Sequence, residues 1–362
     1  MKLGMFMMPL HPPGKNYVQT LKEDREAIIL ADRLGYTEAL VGEHVTDLAE
    51  TVTDCAVFLA SLISDTRQIK LGTGTLNLPN RHPAQLAATV SMLDSMLEGR
   101  FICGISPGGL PSDMEVFGNL NGDRNAMFVE CIDQMIAIWT GEAPYRLQGR
   151  FWNISTERTL LPEIGQGIIL KPYQRPFPPI VVTAVAPHSA GITEAAARCW
   201  DPISANFLLP QWVKTHWPKY VEGCERVGRP ADPANWRVAK TIFVSDDEAT
   251  AKRYGREAGG PYHFYYKQLG YKLVRAGRAN LFKTSPDVPD SAITPEYLTE
   301  NLVIAGTVNQ VVDEILALRE YVGDFGTLYY ACTDWVDPAL GRRSMELMAE
   351  QVMPRVNAAL GR

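Results

Sequence analysis

Residues 37–44 read Thr-Glu-Ala-Leu-Val-Gly-Glu-His, an apolar run that ends in a carboxylate and an imidazole. Leu40 and Val41 are typical of a buried strand, and Glu43 and His44 stand at its C-terminal end. In a parallel α/β barrel the loops at that end contact the substrate, so titratable residues there are candidates for catalysis. The alternative is a surface loop in which His44 only hydrogen-bonds a neighbour.

The rest of the chain alternates short β-rich runs with helical patterns. The predicted strands are 2–8, 37–42, 69–76, 101–106, 180–184, 201–205, 236–245 and 327–333. The predicted helices are 18–34, 54–64, 83–97, 123–140, 189–198, 210–227, 247–257, 307–321 and 338–359. This pattern predicts an α/β fold, a closed (β/α)₈ TIM barrel, with an open doubly wound sheet as the alternative. Because the chain shows no repeat and no linker, we expect a single domain over residues 1–362.

Two stretches interrupt the alternation and are predicted to be insertions at the C-terminal mouth of the barrel. Residues 142–178 contain a probable hairpin at 145–154 and then a Pro-rich segment. Residues 258–300 begin with Gly259 and Gly260 and carry five aromatic residues within 262–271. Long insertions at a barrel mouth usually shape the active site.

The aromatic residues of the second insertion allow two interpretations. They can form a mobile lid that offers Tyr262, Phe264 and Tyr265 as an apolar roof over the mouth. They can instead belong to a helix that packs onto the barrel wall through residues at helical spacing, namely Tyr262, Tyr266, Leu269 and Leu273.

Composition and charge restrict the class of protein. The chain has 362 residues, of which 46% are hydrophobic and 21% charged, as in a soluble globular protein with a large core. Its net charge of −6 disfavours binding to nucleic acid or to an anionic membrane. No apolar run approaches the ~20 residues of a membrane span. The six cysteines lie far apart, which predicts reduced thiols in the cytoplasm, and the scattered histidines predict no metal site.

Two glycine motifs follow predicted strands. Gly104-Ile-Ser-Pro-Gly108 matches the nucleophile elbow of serine hydrolases, but that elbow needs an N–H from the residue after the serine. Pro107 has none, which argues against a hydrolase. In Leu71-Gly-Thr-Gly-Thr75, the two glycines indicate a bulge or a close approach to a flat ligand. No third glycine opens a helix, so a Rossmann dinucleotide site is not supported.

Two further positions are candidates for binding an anion. Arg124 begins a long predicted helix, where a cation can hold a phosphate, although such an arginine is more often a solvated surface charge. Ala186-Pro-His-Ser-Ala190 joins a strand to a helix, and the free N–H groups of a helix N-terminus together with a serine hydroxyl can bind an anion. Ser189 can also be a simple N-cap.

Taken in chain order, these motifs resemble the bacterial luciferase-like family of flavin-dependent monooxygenases. The matching segments are Gly42-Glu-His44, Leu71–Thr75, Leu78-Pro-Asn-Arg-His-Pro83, Leu93–Phe101, Val116-Phe-Gly118, Arg124, residues 180–190 and Leu347–Pro354. Thr333-Asp-Trp-Val-Asp-Pro338 and the stretch from Ser344 are most similar to the limonene- and diketocamphane-type members.

The resemblance implies a barrel that binds reduced FMN at its mouth, supplied by a separate flavin reductase, and that forms a flavin hydroperoxide with dioxygen. By position, His44 would be the catalytic acid/base, and Gly74-Thr75 would form a non-proline cis peptide bond under the flavin ring. Three residues, Arg124, His188 and Ser189, would hold the phosphate. The other residues expected to contact the cofactor are Glu43, Ser106, Ala184 and Ala186.

The chain also departs from the family pattern. Luciferases commonly have Cys-Arg where this chain has Ser106-Pro107, which argues against light emission, and Val45 replaces a second histidine. The expected function is therefore a two-component FMN-dependent monooxygenase that acts on a hydrophobic small molecule by Baeyer–Villiger insertion or hydroxylation. The alternatives are a deazaflavin-dependent oxidoreductase of the same fold and a non-catalytic flavin-binding protein.

The sequence also suggests a homodimer. The predicted helices 54–64 and 83–97 carry more apolar residues than one buried face needs, which predicts that they pair with a second copy. These residues are Val57, Leu59, Leu62 and Leu86.

Overall fold

Alternating strands and helices run through residues 1–361, which the computed structural model describes. The strands are β1 (Lys2–Met7), β2 (Glu38–Val41), β3 (Lys70–Thr73), β4 (Leu76–Asn77), β5 (Phe101–Ser106), β6 (Arg146–Gln148), β7 (Asn153–Ser155), β8 (Ile180–Ala184), β9 (Asp201–Ser204), β10 (Arg237–Ser245), β11 (Val303–Thr307) and β12 (Thr327–Ala331). The helices are α1 (Tyr17–Arg33), α2 (Cys55–Ala60), α3 (Pro83–Met96), α4 (Pro111–Val116), α5 (Arg124–Thr140), α6 (Ala190–Ala197), α7 (Pro210–Val213), α8 (His216–Arg226), α9 (Glu248–Gly255), α10 (Pro261–Arg275), α11 (Pro295–Leu302), α12 (Val308–Val322), α13 (Pro338–Leu347) and α14 (Met353–Ala359).

Eight of the strands are hydrogen-bonded in a closed ring. Their order is β10, β12, β1, β2, β3, β5, β8 and β9, and β9 pairs again with β10. The pairing is parallel where β1 lies beside β12, from Lys2 opposite Thr327 to Phe6 opposite Ala331. The prediction of a (β/α)₈ barrel is therefore confirmed, and each of the eight predicted strands is present in the ring.

One strand was not predicted. β11 lies outside the ring and pairs in parallel with the C-terminal half of β10, from Val303 opposite Thr241 to Thr307 opposite Ser245. It begins directly after the last residue of α11, Leu302, so no turn residue separates the two elements in the sequence. A pattern search that relies on turn residues between elements misses such a strand.

Two predicted helices are interrupted near a proline. The expected helix 210–227 is divided into α7 and α8, and the expected helix 338–359 is divided into α13 and α14 by a π-helical segment, Met348–Val352. Pro218 lies in the first turn of α8 and Pro354 in the first turn of α14. Proline has no N–H to donate to the preceding turn, so a regular helix does not continue through it.

The chain divides into two compact units, and the division falls within β2 and β8. Unit 1 comprises Met1–Ala39, Leu48–Thr51 and Val182–Arg362, and unit 2 comprises Leu40–Asp47 and Val52–Val181. The single-domain organisation stays a prediction. Within residues 1–361, no helix is long and apolar enough to cross a membrane.

In unit 1, helix α10 of the second insertion packs against β10. The Tyr262 hydroxyl donates to the Ile242 carbonyl oxygen (3.0 Å), and the Tyr266 and Thr241 hydroxyls lie 2.9 Å apart. Tyr265 is also buried, and its hydroxyl accepts a hydrogen bond from Asn206 (3.0 Å). The packing interpretation is therefore confirmed for Tyr262 and Tyr266. The expectation that Tyr262 and Tyr265 offer an apolar roof over the mouth is wrong, because both side chains are buried within unit 1.

The remaining aromatic residue of the expected roof, Phe264, is partly buried against the same apolar cluster, as are Leu269 and Leu273. A salt bridge connects α10 to the loop after β2, where Lys272 Nζ lies 2.8 Å from Glu50 Oε1. Movement of this insertion on ligand binding stays a prediction.

In unit 2, the first insertion contains the expected hairpin. β6 and β7 pair antiparallel from Arg146 opposite Ser155 to Gln148 opposite Asn153. Glu130 on α5 holds the turn, because its carboxylate accepts hydrogen bonds from the backbone N–H groups of residues 150–152. A charge-assisted contact of this kind fixes a turn that the sequence alone leaves undefined.

The surface expected to pair two copies is only partly as predicted. Leu59, Leu62 and Leu86 are buried within the chain, with exposures of 0–1%, so they are not available to a second copy. Val57 is 69% exposed, and Met92 and Met96 on α3 add 61% and 48% exposed side chains. The predicted composition of this surface was therefore wrong for three of its four residues.

Candidate functional site

His44 and Asp113 form a hydrogen-bonded pair in unit 2. His44 Nδ1 lies 2.8 Å from Asp113 Oδ2, and the two side chains are 15% and 4% exposed. The backbone N–H groups of Val45 (3.1 Å) and Thr46 (2.9 Å) and the Thr46 hydroxyl (2.6 Å) donate to Asp113 Oδ1. Burial by itself raises the pKa of Asp113, but the hydrogen bonds from His44 and Thr46 outweigh it and hold that pKa below its ordinary value. Asp113 is thus an ionised acceptor.

Asp113 lies in the first turn of α4, and the sequence fixes the start of this helix at Pro111. Proline is favoured at the first helical position, and a carboxylate in the first turn interacts well with the helix dipole. Sequence analysis missed Asp113. The signal was a short helix-start pattern, Pro111-Ser-Asp, in the loop that follows a barrel strand.

Glu43 is buried and its carboxylate is bound entirely by the protein. Oε2 accepts hydrogen bonds from the Cys55 N–H (3.1 Å) and from Arg81 (2.8 Å). Oε1 accepts from the Asn77 N–H (3.2 Å), and Asn77 also donates from its side chain to the Glu43 carbonyl oxygen (3.1 Å). Glu43 therefore holds the end of β2 in place beside His44. Its expected role as a direct cofactor contact is not supported by these bonds.

The bond between Gly74 and Thr75 is cis, as expected. A Cβ atom on Gly74 would lie 2.8 Å from Leu40 Cβ, so only glycine fits against β2 there. The Thr75 hydroxyl donates to Ser106 Oγ (2.7 Å), and Ser106 Oγ donates to Asn77 Oδ1 (2.9 Å). One chain of hydrogen bonds thus joins this peptide, Ser106 and Asn77.

Ser106 is not arranged as a nucleophile. Besides the two bonds already described, its Oγ accepts a hydrogen bond from the Gly108 N–H (3.1 Å). None of these three partners is a base, whereas a catalytic serine needs an adjacent base. The geometry agrees with the sequence argument against a hydrolase.

Arg124 begins α5, as predicted, and its guanidinium donates to the Gly108 carbonyl oxygen (3.1 Å). Within residues 1–361, no carboxylate forms a salt bridge with Arg124. Most of the arginines that make side-chain contacts in this protein contact Asp or Glu, as Arg81 does with Glu43 and Asp54. A cation without a carboxylate partner is suited to an anionic ligand.

The other expected contacts lie in unit 1, in the turn between β8 and α6. Ala184 is buried at the end of β8, and the His188 backbone, at φ +51°, donates from its N–H to the Thr215 hydroxyl (2.8 Å). Ser189 is the N-cap residue of α6, but its side chain makes no capping hydrogen bond. The N-cap alternative is thus correct for its position, while its hydroxyl is not used in that role.

His216 holds this turn in place through a side-chain hydrogen bond. Its sequence context gave no sign of this role. Its Nε2 donates to the Ala186 carbonyl oxygen (2.9 Å), and its Nδ1 accepts from the Ser204 hydroxyl (2.8 Å). Burial lowers the pKa of His216 to about 4, so the ring is neutral and keeps these roles at neutral pH. Arg278 Nη2 also donates to the Val185 carbonyl oxygen (2.5 Å).

A second cluster of charged residues lies in unit 1, after β1 and β12. The ring nitrogens of the buried His11 contact Asp334 (2.5 Å) and Asp24 (3.2 Å). Lys15 Nζ lies 2.5 Å from Glu23 and 2.6 Å from Asp334. Burial opposes a charge on His11, but the hydrogen bonds that its ring donates to Asp24 and Asp334 outweigh it and raise the pKa of His11 to about 9.

This cluster includes a potential metal-binding set that the sequence spacing did not indicate. One ligand atom from each of His11, Glu23 and Asp334 lies within 4.8 Å of the others. However, the Lys15 ammonium already contacts both carboxylates, and His11 is itself protonated. Two cations thus occupy the positions next to these carboxylates, and the cluster is better described as a charge-compensated network.

Comparison with known proteins places the chain in a family. The model of the luciferase-like monooxygenase family matches residues 1–324, so the chain belongs to that family. It is 30% identical to 4-hydroxyprotoasukamycin monooxygenase of Streptomyces nodosus subsp. asukaensis, over 99% of this chain and 92% of the relative. It is 27% identical to 3,6-diketocamphane 1,6-monooxygenase of Pseudomonas putida, over 98% of both chains.

A solved structure is similar over the whole chain. It is the oxygenating constituent of 3,6-diketocamphane monooxygenase from Pseudomonas putida, a type II Baeyer–Villiger monooxygenase in complex with FMN. The TM-score is 0.89 with 27% identity, and 98% of each chain is covered. The expectations of a flavin-dependent monooxygenase and of FMN as its cofactor are confirmed.

Each unit, taken by itself, contains polar groups whose chemistry fits the phosphate of FMN. A phosphate group needs cations and N–H or O–H donors that the protein has not already neutralised. Arg124 in unit 2 has no carboxylate partner within residues 1–361, and Ser189 in unit 1 keeps a hydroxyl that makes no capping bond. The first turn of α6 adds N–H groups that a helix leaves without internal partners.

Proposed function

We propose that this protein is the oxygenase component of a two-component monooxygenase, which uses FMN reduced by a separate flavin reductase to oxidise a hydrophobic small molecule. When bound, reduced FMN supplies two electrons and activates dioxygen. The observation that carries the proposal is the pair of His44 and Asp113 at the C-terminal end of β2, where one positioned base is available to move a proton.

Several groups of this chain would hold the cofactor. Arg124, His188 and Ser189 would bind the phosphate, with Ala184 and Ala186 shaping the turn. Gly74, Thr75 and Ser106 would lie beside the ring system, and Glu43 would maintain their backbone through Asn77. The two-component arrangement is supported by the structural neighbour, which is described as an oxygenating constituent.

A hydrophobic substrate is supported by unit 1. Aromatic side chains that are only partly buried, Phe207, Trp212 and Phe264, pack on the apolar cluster that includes Tyr265. Partly buried aromatic surface is typical of sites for apolar ligands.

The test is anaerobic titration of the protein with reduced FMN, followed by mixing with oxygenated buffer. We expect saturable binding of reduced FMN and a slower reoxidation of the bound flavin than of free FMN. Tight binding of a reduced deazaflavin that does not consume oxygen would instead support the oxidoreductase alternative. A third outcome is that wild type and His44→Ala both bind FMN, but the bound flavin reacts with oxygen at the same rate as free FMN in both proteins. This outcome would support a non-catalytic flavin-binding protein.

We also propose a homodimer that pairs through α2 and α3, and a cytoplasmic location. Val57, Met92 and Met96 form an exposed apolar set on these helices, and the six cysteines are free, as in a reducing compartment. Light scattering at micromolar concentration is expected to give twice the chain mass. A monomeric mass would contradict the dimer.

A further inference from the structure

Asn206 lies in the loop that follows β9, at the C-terminal end of a barrel strand, and it is 2% exposed. Its side-chain Nδ2 donates to the Thr241 hydroxyl on β10 and to the Tyr265 hydroxyl on α10, both at 3.0 Å. Both N–H groups of the amide are thus used within unit 1. The remaining polar atom of the side chain, Oδ1, accepts no hydrogen bond from residues 1–361.

This oxygen atom is an acceptor that the protein leaves open. Buried acceptors without a donor are rare in proteins, and a ligand or a water molecule usually supplies the missing donor. In unit 2, Gln134 Oε1 also lacks a donor within residues 1–361, but it is fully enclosed by protein, whereas Asn206 Oδ1 is not. Asn206 Oδ1 is therefore available to a molecule that binds beside the loop after β9.

The loop that carries Asn206 is anchored on both sides. Nζ of the buried Lys240 on β10 donates to the Leu208 carbonyl oxygen (2.6 Å). The Ala205 N–H donates to the carbonyl oxygen of Ala184, the last residue of β8 (3.1 Å). A ligand that binds such a fixed acceptor does not have to order it first, so the acceptor can select one orientation of the ligand.

The surroundings of Asn206 in unit 1 are largely apolar. The next residue, Phe207, is partly buried and packs against the apolar cluster that includes Leu209 and Tyr265. A few fixed polar groups among apolar side chains are typical of sites that orient a small apolar ligand. In TIM barrels the loops at the C-terminal ends of the strands carry such sites.

We propose that Asn206 orients the substrate of this enzyme, and that the substrate is a hydrophobic compound with a hydroxyl or N–H group that donates to Asn206 Oδ1. This inference rests on the proposed function. The amide is a positioning group, since it neither takes up nor releases a proton. Because it holds one end of the substrate, it sets which carbon atoms are oxidised relative to the donor group.

The first test measures the affinity of the full-length protein, with and without oxidised FMN, for two pairs of probes. They are 4-tert-butylcyclohexanol and its methyl ether, and 4-tert-butylphenol and its methyl ether. Only the hydroxyl compound of each pair can donate a hydrogen bond. In at least one pair, calorimetry is expected to show that wild type binds the hydroxyl compound roughly 10–100-fold more tightly, since the ether leaves a buried acceptor without a donor. Equal affinities within both pairs, or no binding of any probe, would overturn the proposal.

The second test assigns this preference to Asn206. Asn206→Leu removes the acceptor at similar volume, so the hydroxyl compound should bind more weakly, the ether should bind as before and the preference should disappear. In Asn206→Asp, one carboxylate oxygen can accept from the Thr241 and Tyr265 hydroxyls while the other faces the ligand. This variant should therefore keep the preference and bind the cation of 4-tert-butylcyclohexylamine roughly 10-fold more tightly than wild type does.

The two variants fail in different ways if Asn206 has no such role. A preference that persists in Asn206→Leu would overturn the assignment. An amine affinity of Asn206→Asp equal to that of wild type would also overturn it, and this result does not depend on whether the leucine variant folds.

A matched control is Asn280→Leu, because Asn280 is exposed in the same unit and its side chain makes no hydrogen bond within residues 1–361. It should bind all probes as wild type does. The failures of the two proposals are distinguishable. If wild type does not bind reduced FMN, the proposed function fails, whereas the measurements without flavin test Asn206 independently.

Discussion

Two histidines of this protein contact aspartates, and they differ in how deeply the ring is buried. His11 in unit 1 is 1% exposed and has Asp334 on one ring nitrogen and Asp24 on the other. His44 in unit 2 is 15% exposed, and Asp113 contacts its Nδ1. A buried ring with a carboxylate on each nitrogen is held in its charged form, whereas a ring that is partly exposed can exchange a proton with its surroundings. We therefore expect His11 to contribute to stability and His44 to turnover.

The largest expected effect is the loss of turnover when His44 is removed. His44→Ala should lower product formation by roughly 10²–10⁴-fold, the usual contribution of a positioned general acid or base. Affinity for reduced FMN and the free energy of unfolding should change little, because His44 is only partly enclosed by the protein. Steady-state product analysis, flavin titration and urea denaturation measure the three quantities. Full turnover in a folded variant would show that His44 is not the acid/base.

The second prediction tests whether His11 contributes to the stability of the fold. His11→Ala should lower the free energy of unfolding by about 3–5 kcal/mol, because it leaves Asp24 and Asp334 as buried charges without a partner ring. Urea denaturation followed by circular dichroism measures this change. The matched control is His82→Ala, in which an exposed histidine caps α3 and should cost about 1 kcal/mol. Equal losses in both variants would contradict the role of His11.

The sequence predicted the ring strands and the position of His44 because both depend on local patterns. Apolar runs at regular spacing locate barrel strands, and the end of a strand locates a candidate catalytic residue. Asp113 and His216 were missed because each acts through a contact with a residue far away in the chain. The His11 cluster was missed for the same reason, since Asp334 lies 323 residues from His11. Spacing within a sequence does not report such contacts.

Burial explains the two wrong expectations about surfaces. Tyr262 and Tyr265 have the composition of an apolar roof, and Leu59 and Leu62 have that of an interface. All four are nevertheless buried within the chain. An apolar residue at helical spacing suits the core and an interface equally well, and only the packing of neighbouring elements decides between them.

The third prediction concerns Glu43, which is next to His44 in the chain but should affect stability, as His11 does, and not turnover. Glu43→Gln should lower the free energy of unfolding by about 1–3 kcal/mol, because the amide NH₂ would face groups that now donate to a carboxylate, namely Arg81 and the Cys55 N–H. Turnover per bound flavin should change little. A variant with normal stability and a turnover as low as that of His44→Ala would show that Glu43, too, takes part in proton transfer.

The last prediction is the pH dependence of stability that His11 causes. Its pKa is raised in the folded protein to about 9, from 6.5 for the ordinary side chain. Between these two values the folded protein binds a proton that the unfolded chain has lost, so stability must fall as the pH rises through this window. The contribution of His11 is fully present below about pH 6.5 and is lost above about pH 9, with a slope of at most about 1.4 kcal/mol per pH unit. Lys15, whose pKa is also raised, stays charged throughout and does not obscure the effect.

Urea denaturation of the flavin-free protein at several pH values measures the slope, and the slope should disappear in His11→Gln. His44→Ala should keep it, because His44 is not part of this network. The decisive window is pH 6.5 to 8, because burial lowers the pKa of Lys240 to about 8 and its titration raises stability above that pH. A wild-type stability that is constant or rises between pH 6.5 and 8 would show that His11 is not held in its charged form, and the distinction between the two histidines would then rest on their exposure alone.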